Sequence, residues 1–337
     1  MTRAVTVAGA GMAGLVAAAR LRELGREPRL LEKGTRAGGS MLISSCVPWR
    51  HREWEAFPAE CPGGDRRLQR LVWERFDDAI AWLESLGAEP VWSDTENPLT
   101  TGRRYDPRAL TGLLARDVEL VTPLPRAAEP PLVLATGGFP VRLARERGLL
   151  LRANPWSDGG GLDHARAGGA ALTPGMDEFY GRVMPAPPAR IREEDFVPLA
   201  QLYGREARIL TEEGEDVTPP SVSWHESELA QAIGPTAWYV VARTNERIEA
   251  ARAAGATVVE RGDGTIAVHV AAAVTHTIGG LRIDEQARVL GEDGAPLAGI
   301  WAAGVDAGGI ATGGYASGLA QALVLGLAAA ESAAASV

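Results

Sequence analysis

The sequence predicts an α/β fold in which both ends of the chain build one doubly wound domain and a smaller α+β cap is inserted between them. Three observations carry this expectation. A strand–glycine turn–helix–strand pattern occupies residues 3–32, an apolar run ends at Ala135-Thr136-Gly137-Gly138, and a second apolar run ends in glycines at Gly304 before a hydrophobic helix. The length, 337 residues, suits two domains or one large domain with an insertion. With 46% hydrophobic and 23% charged residues the chain is globular in composition, which excludes disordered and fibrous classes.

The first element is the short β-branched run Arg3–Val7, followed by Gly9-Ala10-Gly11-Met12-Ala13-Gly14. Leu15–Leu24 has helical spacing and stops at Gly25, and Arg29–Leu31 forms a second strand that ends at Glu32. This is Gly-x-Gly-x-x-Gly with an acid 18 residues after the last glycine, the spacing of a Rossmann-like dinucleotide fold. Gly9 permits the tight turn, Gly11 lets the backbone approach a pyrophosphate, and Gly14 lets the helix lie close to the strand. The helix N-terminus, with the amides of Met12 and Ala13, then faces the phosphates. Glu32 is placed to accept hydrogen bonds from a ribose diol.

Residues Leu68–Leu86 have apolar side chains at 68, 71, 72, 76, 79, 80, 83 and 86, which predicts a helix ended by Gly87, with Trp73, Phe76 and Trp82 directed to the core. Trp49, Trp54, Trp73, Trp82 and Trp92 cluster in sequence and would suit the walls of a pocket for an apolar, ring-shaped molecule. Leu132–Leu134 is the mid-chain strand, Trp156–Ala165 a glycine-rich turn before a short helix, Gly299–Ala302 a late strand and Leu319–Ala330 the closing helix. The boundaries expected are 1–175 with 268–337 for the dinucleotide domain and 176–267 for the cap.

Taken together, Glu32-Lys33 with Gly38-Gly39-Ser40, Ala135-Thr136-Gly137, Gly304 with Asp306, and Ser317-Gly318-Leu319 resemble the fumarate reductase/succinate dehydrogenase flavoprotein family, including its 3-ketosteroid Δ1-dehydrogenase and tricarballylate dehydrogenase-like branches. The resemblance covers about the first 45 residues, the stretch near 131–170 and the last 65, and implies FAD as cofactor, bound by these residues together with the first glycine motif. It departs from the pattern in several places. No histidine follows Gly38-Gly39-Ser40, so the FAD is expected to be non-covalent. Val305 stands where relatives often carry an acid for the ribityl chain, with Asp306 one position later as its substitute. The loop Gly309–Gly318 lacks the arginine that clamps a substrate carboxylate in relatives, which argues against a dicarboxylate. The cap is short, and the proline-rich stretch Leu120–Pro131 leaves little room for a β-meander.

The family implies hydride exchange between flavin and a carbon β to a carbonyl, with a side chain moving the α proton; the flavin brings the redox chemistry and the protein brings position and acid or base. Tyr315, in the last glycine loop, and His276, before Gly279-Gly280, are the candidate catalytic residues. Alternatively, Tyr315 packs on the flavin or holds a substrate carbonyl, and His276 is structural; for Trp73, Phe76 and Trp82 flavin stacking is the secondary alternative to core packing. His225, Tyr203 and Tyr239 read as cap packing or surface. The function expected is an FAD-dependent oxidoreductase that dehydrogenates or reduces a C–C bond next to a carbonyl in a small non-dicarboxylate substrate. Oxidation at a C–N or C–O bond, or a non-redox isomerase or cyclase that keeps FAD, are the alternatives.

The expected partners are the small-molecule substrate and an electron acceptor or donor. With a net charge of −9 and no basic block, a nucleic-acid partner is not expected. No apolar run approaching the ~20 residues of a membrane helix is expected. Two cysteines, Cys46 and Cys61, make no disulfide framework and read as inert thiols; the five histidines pair with no cysteine spacing, so no metal site is expected. The opening residues leave no room for a signal peptide, and with the cysteine usage this points to the cytoplasm.

Overall fold

The computed structural model describes residues 4–95, 97–116, 120–121, 129–220, 223 and 226–336. By contacts the chain divides into two compact units: Met1–Phe139 with Asn154–Glu178 and His276–Val337, and Pro140–Ala153 with Phe179–Thr275.

The first unit is the dinucleotide-type domain. Its elements are β1 (Val5–Ala8), α1 (Met12–Glu23), β2 (Pro28–Leu31), β3 (Trp49–His51), α2 (Arg66–Ser85), β4 (Thr100–Gly102), β5 (Leu120–Val121), β6 (Leu132–Leu134), α3 (Gly160–Ala167), β7 (Arg288–Leu290), β8 (Pro296–Ala302) and α4 (Gly318–Ser336). Six strands form one sheet in the order β7-β8-β6-β1-β2-β5, parallel except for β7. β1 lies in the middle, with β2 on one side and β6 on the other, and Val5 and Val7 are fully buried. Val5, Val7 and Ala8 are buried and Thr6 is half-buried, as suits a central strand of a mostly parallel sheet.

The two helices at the ends of the sequence pack on each other. Their contact is close because a Cβ at Gly326 would come within 2.8 Å of the Ala13 carbonyl oxygen. α4 is longer than the sequence expectation and, at 19 residues, long and apolar enough by composition to cross a membrane. This corrects the expectation that no such run exists. Its residues from Ala320 to Ala330 are buried in the fold, which accounts for its apolar character as a core helix.

α2 starts at Asp65, whose carboxylate accepts hydrogen bonds from the Arg67 and Leu68 amides, and buries Leu68, Val72, Phe76, Ala79, Ile80 and Leu83. Trp73 and Trp82 are half-buried rather than core; their indoles donate to the His51 carbonyl and to Glu23.

The second unit is a sheet of the strands Phe179–Pro185, Ile266–Thr277, Ala237–Val241 and Arg208–Leu210, with Val258–Glu260 and Leu150–Leu151 also paired to Ile266–Thr277. Residues 140–153 therefore cluster here, whereas the sequence boundaries place them in the first unit. The cause is a two-residue strand whose partner lies more than a hundred residues later. At the other boundary, strand Ile266–Thr277 keeps residues 268–275 in the second unit. Most of Leu120–Pro131, and His225, lie outside the described residues.

Candidate functional site

The glycine turn after β1 is built by close backbone packing. A Cβ at Gly9 would lie 2.2 Å from the Ala135 carbonyl oxygen, and one at Gly14 would lie 1.8 Å from that of Gly9. Gly9 has a φ of 104°, so a side chain there would be strained as well as crowded. Gly11 is different, because a Cβ there would meet nothing within 4 Å. Gly11 caps α1 with no side-chain hydrogen bond, so the first-turn amides, Met12 and Ala13 among them, receive no side-chain acceptor. An uncapped helix N-terminus beside open space suits a phosphate group.

Glu32 closes the turn from β2. It is 5% exposed, and its two oxygens accept from the Ala10 amide (2.7 Å) and the Gly34 amide (2.6 Å). The following segment returns to the turn through the Gly38 amide, which donates to the Ala10 carbonyl at 2.7 Å. A Cβ at Gly39 would lie 3.1 Å from Gly11 Cα. Ser40 Oγ accepts from the Asn154 amide at 3.0 Å, and Lys33 pairs with Asp158 at 2.5 Å. Gly34 packs on Trp156, whose ring would be 2.4 Å from a Cβ. Residues 32–40 and 154–158 thus line one edge of the turn.

Asp306 does not face outward. It is fully buried, and its carboxylate accepts from the Thr136 amide, from Thr136 Oγ1 (3.0 Å) and from the Gly138 amide (3.0 Å). Burial nevertheless pushes the carboxyl above its ordinary range. The residue ties the end of β6 to the turn after β8. Gly304, with φ 64°, packs between Ala13 and Ala322, and Gly137 lies over Ser157.

At the start of α4, Ser317 Oγ accepts from the Ala320 amide (3.2 Å) and from the Trp49 amide (3.3 Å). The hydroxyl is an N-cap that also anchors β3, and the Gly318 and Leu319 backbone forms the first turn of the helix. His276 meets this turn, its Nε2 lying 2.9 Å from where a Gly318 Cβ would be. The ring is buried. Its Nδ1 is 3.0 Å from the Thr277 carbonyl, which can only accept, so Nδ1 carries the hydrogen and Nε2 the lone pair. Burial pulls its pKa below the usual histidine value, so the ring is neutral.

Tyr315 lies against His276 with ring centroids 5.7 Å apart, and against Trp49 at 5.9 Å. Trp49 also meets His51 edge-on at 5.4 Å, and His51 meets Phe57 at 5.6 Å. The structure therefore brings the two candidate catalytic residues together on an aromatic wall, at the N-terminus of α4. Trp54 and Trp73 join this wall through Phe57, whereas Trp82 pairs with Glu23 and Trp92 is exposed.

Cys46 and Cys61 are free and buried, and burial pushes the Cys46 thiol up to about 12 and the Cys61 thiol higher still. Among the described residues no group of three metal-ligating side chains is present. Tyr239 donates to the Tyr203 carbonyl within the second unit, and His269 pairs with Glu212.

Sequence reasoning missed Gln69. It is fully buried, and its amide nitrogen donates to the Cys61 carbonyl (2.8 Å) and to the Ile310 carbonyl (3.0 Å) in the last glycine loop. The only signal was a polar residue next to the apolar stripe of a helix.

Comparisons with known proteins agree with this geometry. An FAD binding domain model matches residues 124–319, and an NAD(P)-binding Rossmann-like domain model matches residues 7–45. Among solved structures the chain is similar to the open conformation of a flavocytochrome c3 fumarate reductase (TM-score 0.74, 20% identity, 98% of this chain and 78% of that one). It is also similar to 3-ketosteroid-Δ4-(5α)-dehydrogenase from Rhodococcus jostii RHA1 (0.70, 18%, 99% and 98%). A third is 3-ketosteroid Δ1-dehydrogenase from Sterolibacterium denitrificans (0.71, 15%, 99% and 99%). Among curated proteins none matches by sequence. The FAD model spans more than half of the chain, and the uncapped turn, buried Glu32 and glycine cradle fit that cofactor: the chain belongs to the FAD binding domain family.

Proposed function

We infer that the protein is an FAD-dependent oxidoreductase acting on a C–C bond next to a carbonyl, in a small, largely apolar substrate that is not a dicarboxylate. The single observation that carries this reading is the His276–Tyr315 pair at the N-terminus of α4. The similarity to structures named as 3-ketosteroid dehydrogenases and a fumarate reductase supports the reaction class.

FAD, when bound, supplies hydride acceptance or donation at its N5 atom. The chain supplies the rest. Gly9, Gly11 and Gly14 with the α1 amides would hold the pyrophosphate, and Glu32 the adenosine ribose. Gly318 and Leu319 present the amides of a helix N-terminus, where negative charge is stabilised. Tyr315 holds or moves the proton at the carbon next to the carbonyl. A tyrosine acts as a base near neutral pH only if its phenolate is stabilised by about 4 kcal/mol over a free one, and neutral His276 beside it lacks the charge to do that. The pair is therefore suited to donating a proton, or to gripping a carbonyl oxygen, more than to a free phenolate base. Trp49 and its neighbours provide an apolar wall, and Gly309–Gly318 offers no guanidinium for a carboxylate.

The test is spectroscopic. The purified protein should show a flavin band that stays in the supernatant after acid precipitation, and saturated cyclic ketones should bleach it without oxygen, while succinate should not. Tyr315→Phe should slow this bleaching at least 100-fold with FAD retained. Bleaching by amines or alcohols but not by ketones would sink the C–C reading.

A further inference from the structure

The loop that carries Tyr315 has glycine at 308, 309, 313, 314 and 318, and a chain this rich in glycine has little intrinsic preference for one conformation. Its shape is nevertheless specified from one side, by the turn that leads into α2. The Asp65 amide donates to the Gly309 carbonyl (2.7 Å) and the Gly63 amide to the Thr312 carbonyl (3.0 Å). Between these two backbone bonds lies the Gln69 carboxamide, donating to both Ile310 and Cys61. From the other side Glu178 accepts from the Gly313 amide at 2.7 Å.

Two glycines make the Gln69 contact possible. A Cβ at Gly64 would lie 2.2 Å from Gln69 Nε2 and 2.3 Å from the Ile310 carbonyl oxygen, and one at Gly314 would lie 1.8 Å from the Glu60 carbonyl oxygen. The amide is expensive to keep there. Gln69 shares its helix face with Leu68, Val72 and Phe76, it is fully buried, and its Oε1 finds no hydrogen-bond partner among the described residues. An apolar side chain would satisfy the packing of α2 as well. What only an amide provides is two N–H donors held in one plane, joining a carbonyl near residue 60 to a carbonyl near residue 310.

We propose that Gln69 is a positioning residue, whose carboxamide sets the conformation of the Ile310–Gly314 loop and through it the place of Tyr315 against His276. This rests on the reading of Tyr315 as a site residue. Substitution should release the loop while α2 remains formed, because the six apolar contacts of that helix are untouched.

The experiment uses the FAD-loaded protein, with hydrogen–deuterium exchange across residues 309–317 and visible circular dichroism of the bound flavin. Gln69→Met, which keeps the volume and removes both donors, should raise exchange in the loop at least tenfold and leave β1 and β6 unchanged. It should also alter the flavin dichroism, and that alteration should vanish in a Tyr315→Phe background, since effects that act through one residue are not additive. Gln69→Asn, which withdraws the amide by one methylene, should show the same pattern more weakly and serves if Gln69→Met does not fold. Loop exchange equal to wild type overturns the proposal, as does a flavin change of equal size in both backgrounds. The function reading fails separately, if Tyr315→Phe alone bleaches with ketones at the wild-type rate.

Discussion

At the scale of single residues, the sequence exposed groups whose role depends on local neighbours and hid those whose partners lie far along the chain. Gly9, Gly11, Gly14 and Glu32 stand in a fixed spacing; Gly9 and Gly14 pack where no Cβ fits, Gly11 borders open space, and Glu32 accepts from the Ala10 and Gly34 amides. Asp306 and Gln69 were not legible in this way. Asp306 bonds residues 136 and 138, and Gln69 bonds residues 61 and 310, so no local pattern marks either partner. Asp306→Asn should cost about 2 kcal/mol, because the amide has one acceptor oxygen for three donors and sets an N–H₂ against N–H groups. Urea unfolding at pH 7 with and without FAD measures this.

His51 makes a prediction about acid. Its ring is buried, neither nitrogen has a hydrogen-bond partner among the described residues, and burial lowers its pKa from 6.5 to about 4. The unfolded chain takes up a proton below pH 6.5 while the folded protein does not, so the unfolded state binds more protons and stability falls as pH falls. The loss should run from pH 6.5 to about 4 and reach about 3 kcal/mol, with His276 adding in the same direction. Denaturant midpoints measured across that range should show it, and His51→Gln should flatten the slope.

At the scale of elements, helical spacing located α2 from Leu68 onward but not its start at Arg66 or the Asp65 cap, and it could not separate core from rim for Trp73 and Trp82, whose indoles reach polar partners outside the helix. α4 runs to Ser336, past the Ala330 at which the sequence ended it, because small alanines continue to suit a buried helix where larger apolar residues stop. Gly14→Ala is the sharpest test of element packing. Its methyl would fall 1.8 Å from the Gly9 carbonyl oxygen, which is backbone and has no rotamer to move away. FAD affinity should drop at least 100-fold by fluorescence titration, whereas Gly25→Ala, with open space but a φ of 70°, should cost only about 1 kcal/mol and leave affinity intact.

At the scale of the whole molecule, the glycine stations at both ends revealed a domain assembled from the two termini, since each station is itself a strand-to-turn signal. The membership of residues 140–153 was invisible, as two leucines give no period to read. In the sheet, β6 is flanked by β1 and β8. A chain ending at residue 295 would lose β8 and α4 together, leaving β6 with an open edge and α1 without its cover. Such a truncation should abolish FAD binding altogether instead of weakening it in proportion, and near-UV dichroism should report lost packing.

That arrangement also orders events in time. Most contacts of the second unit's sheet close within residues 179–277, so it can fold as soon as that stretch leaves the ribosome. β1, made first, finds both its neighbours, β2 and β6, early, but the strand that covers β6 and the helix that covers α1 come roughly three hundred residues after it. The cofactor cradle is therefore among the first segments synthesised and the last to be secured, and during that interval the outer edge of β6 and the side of α1 that meets α4 stay open.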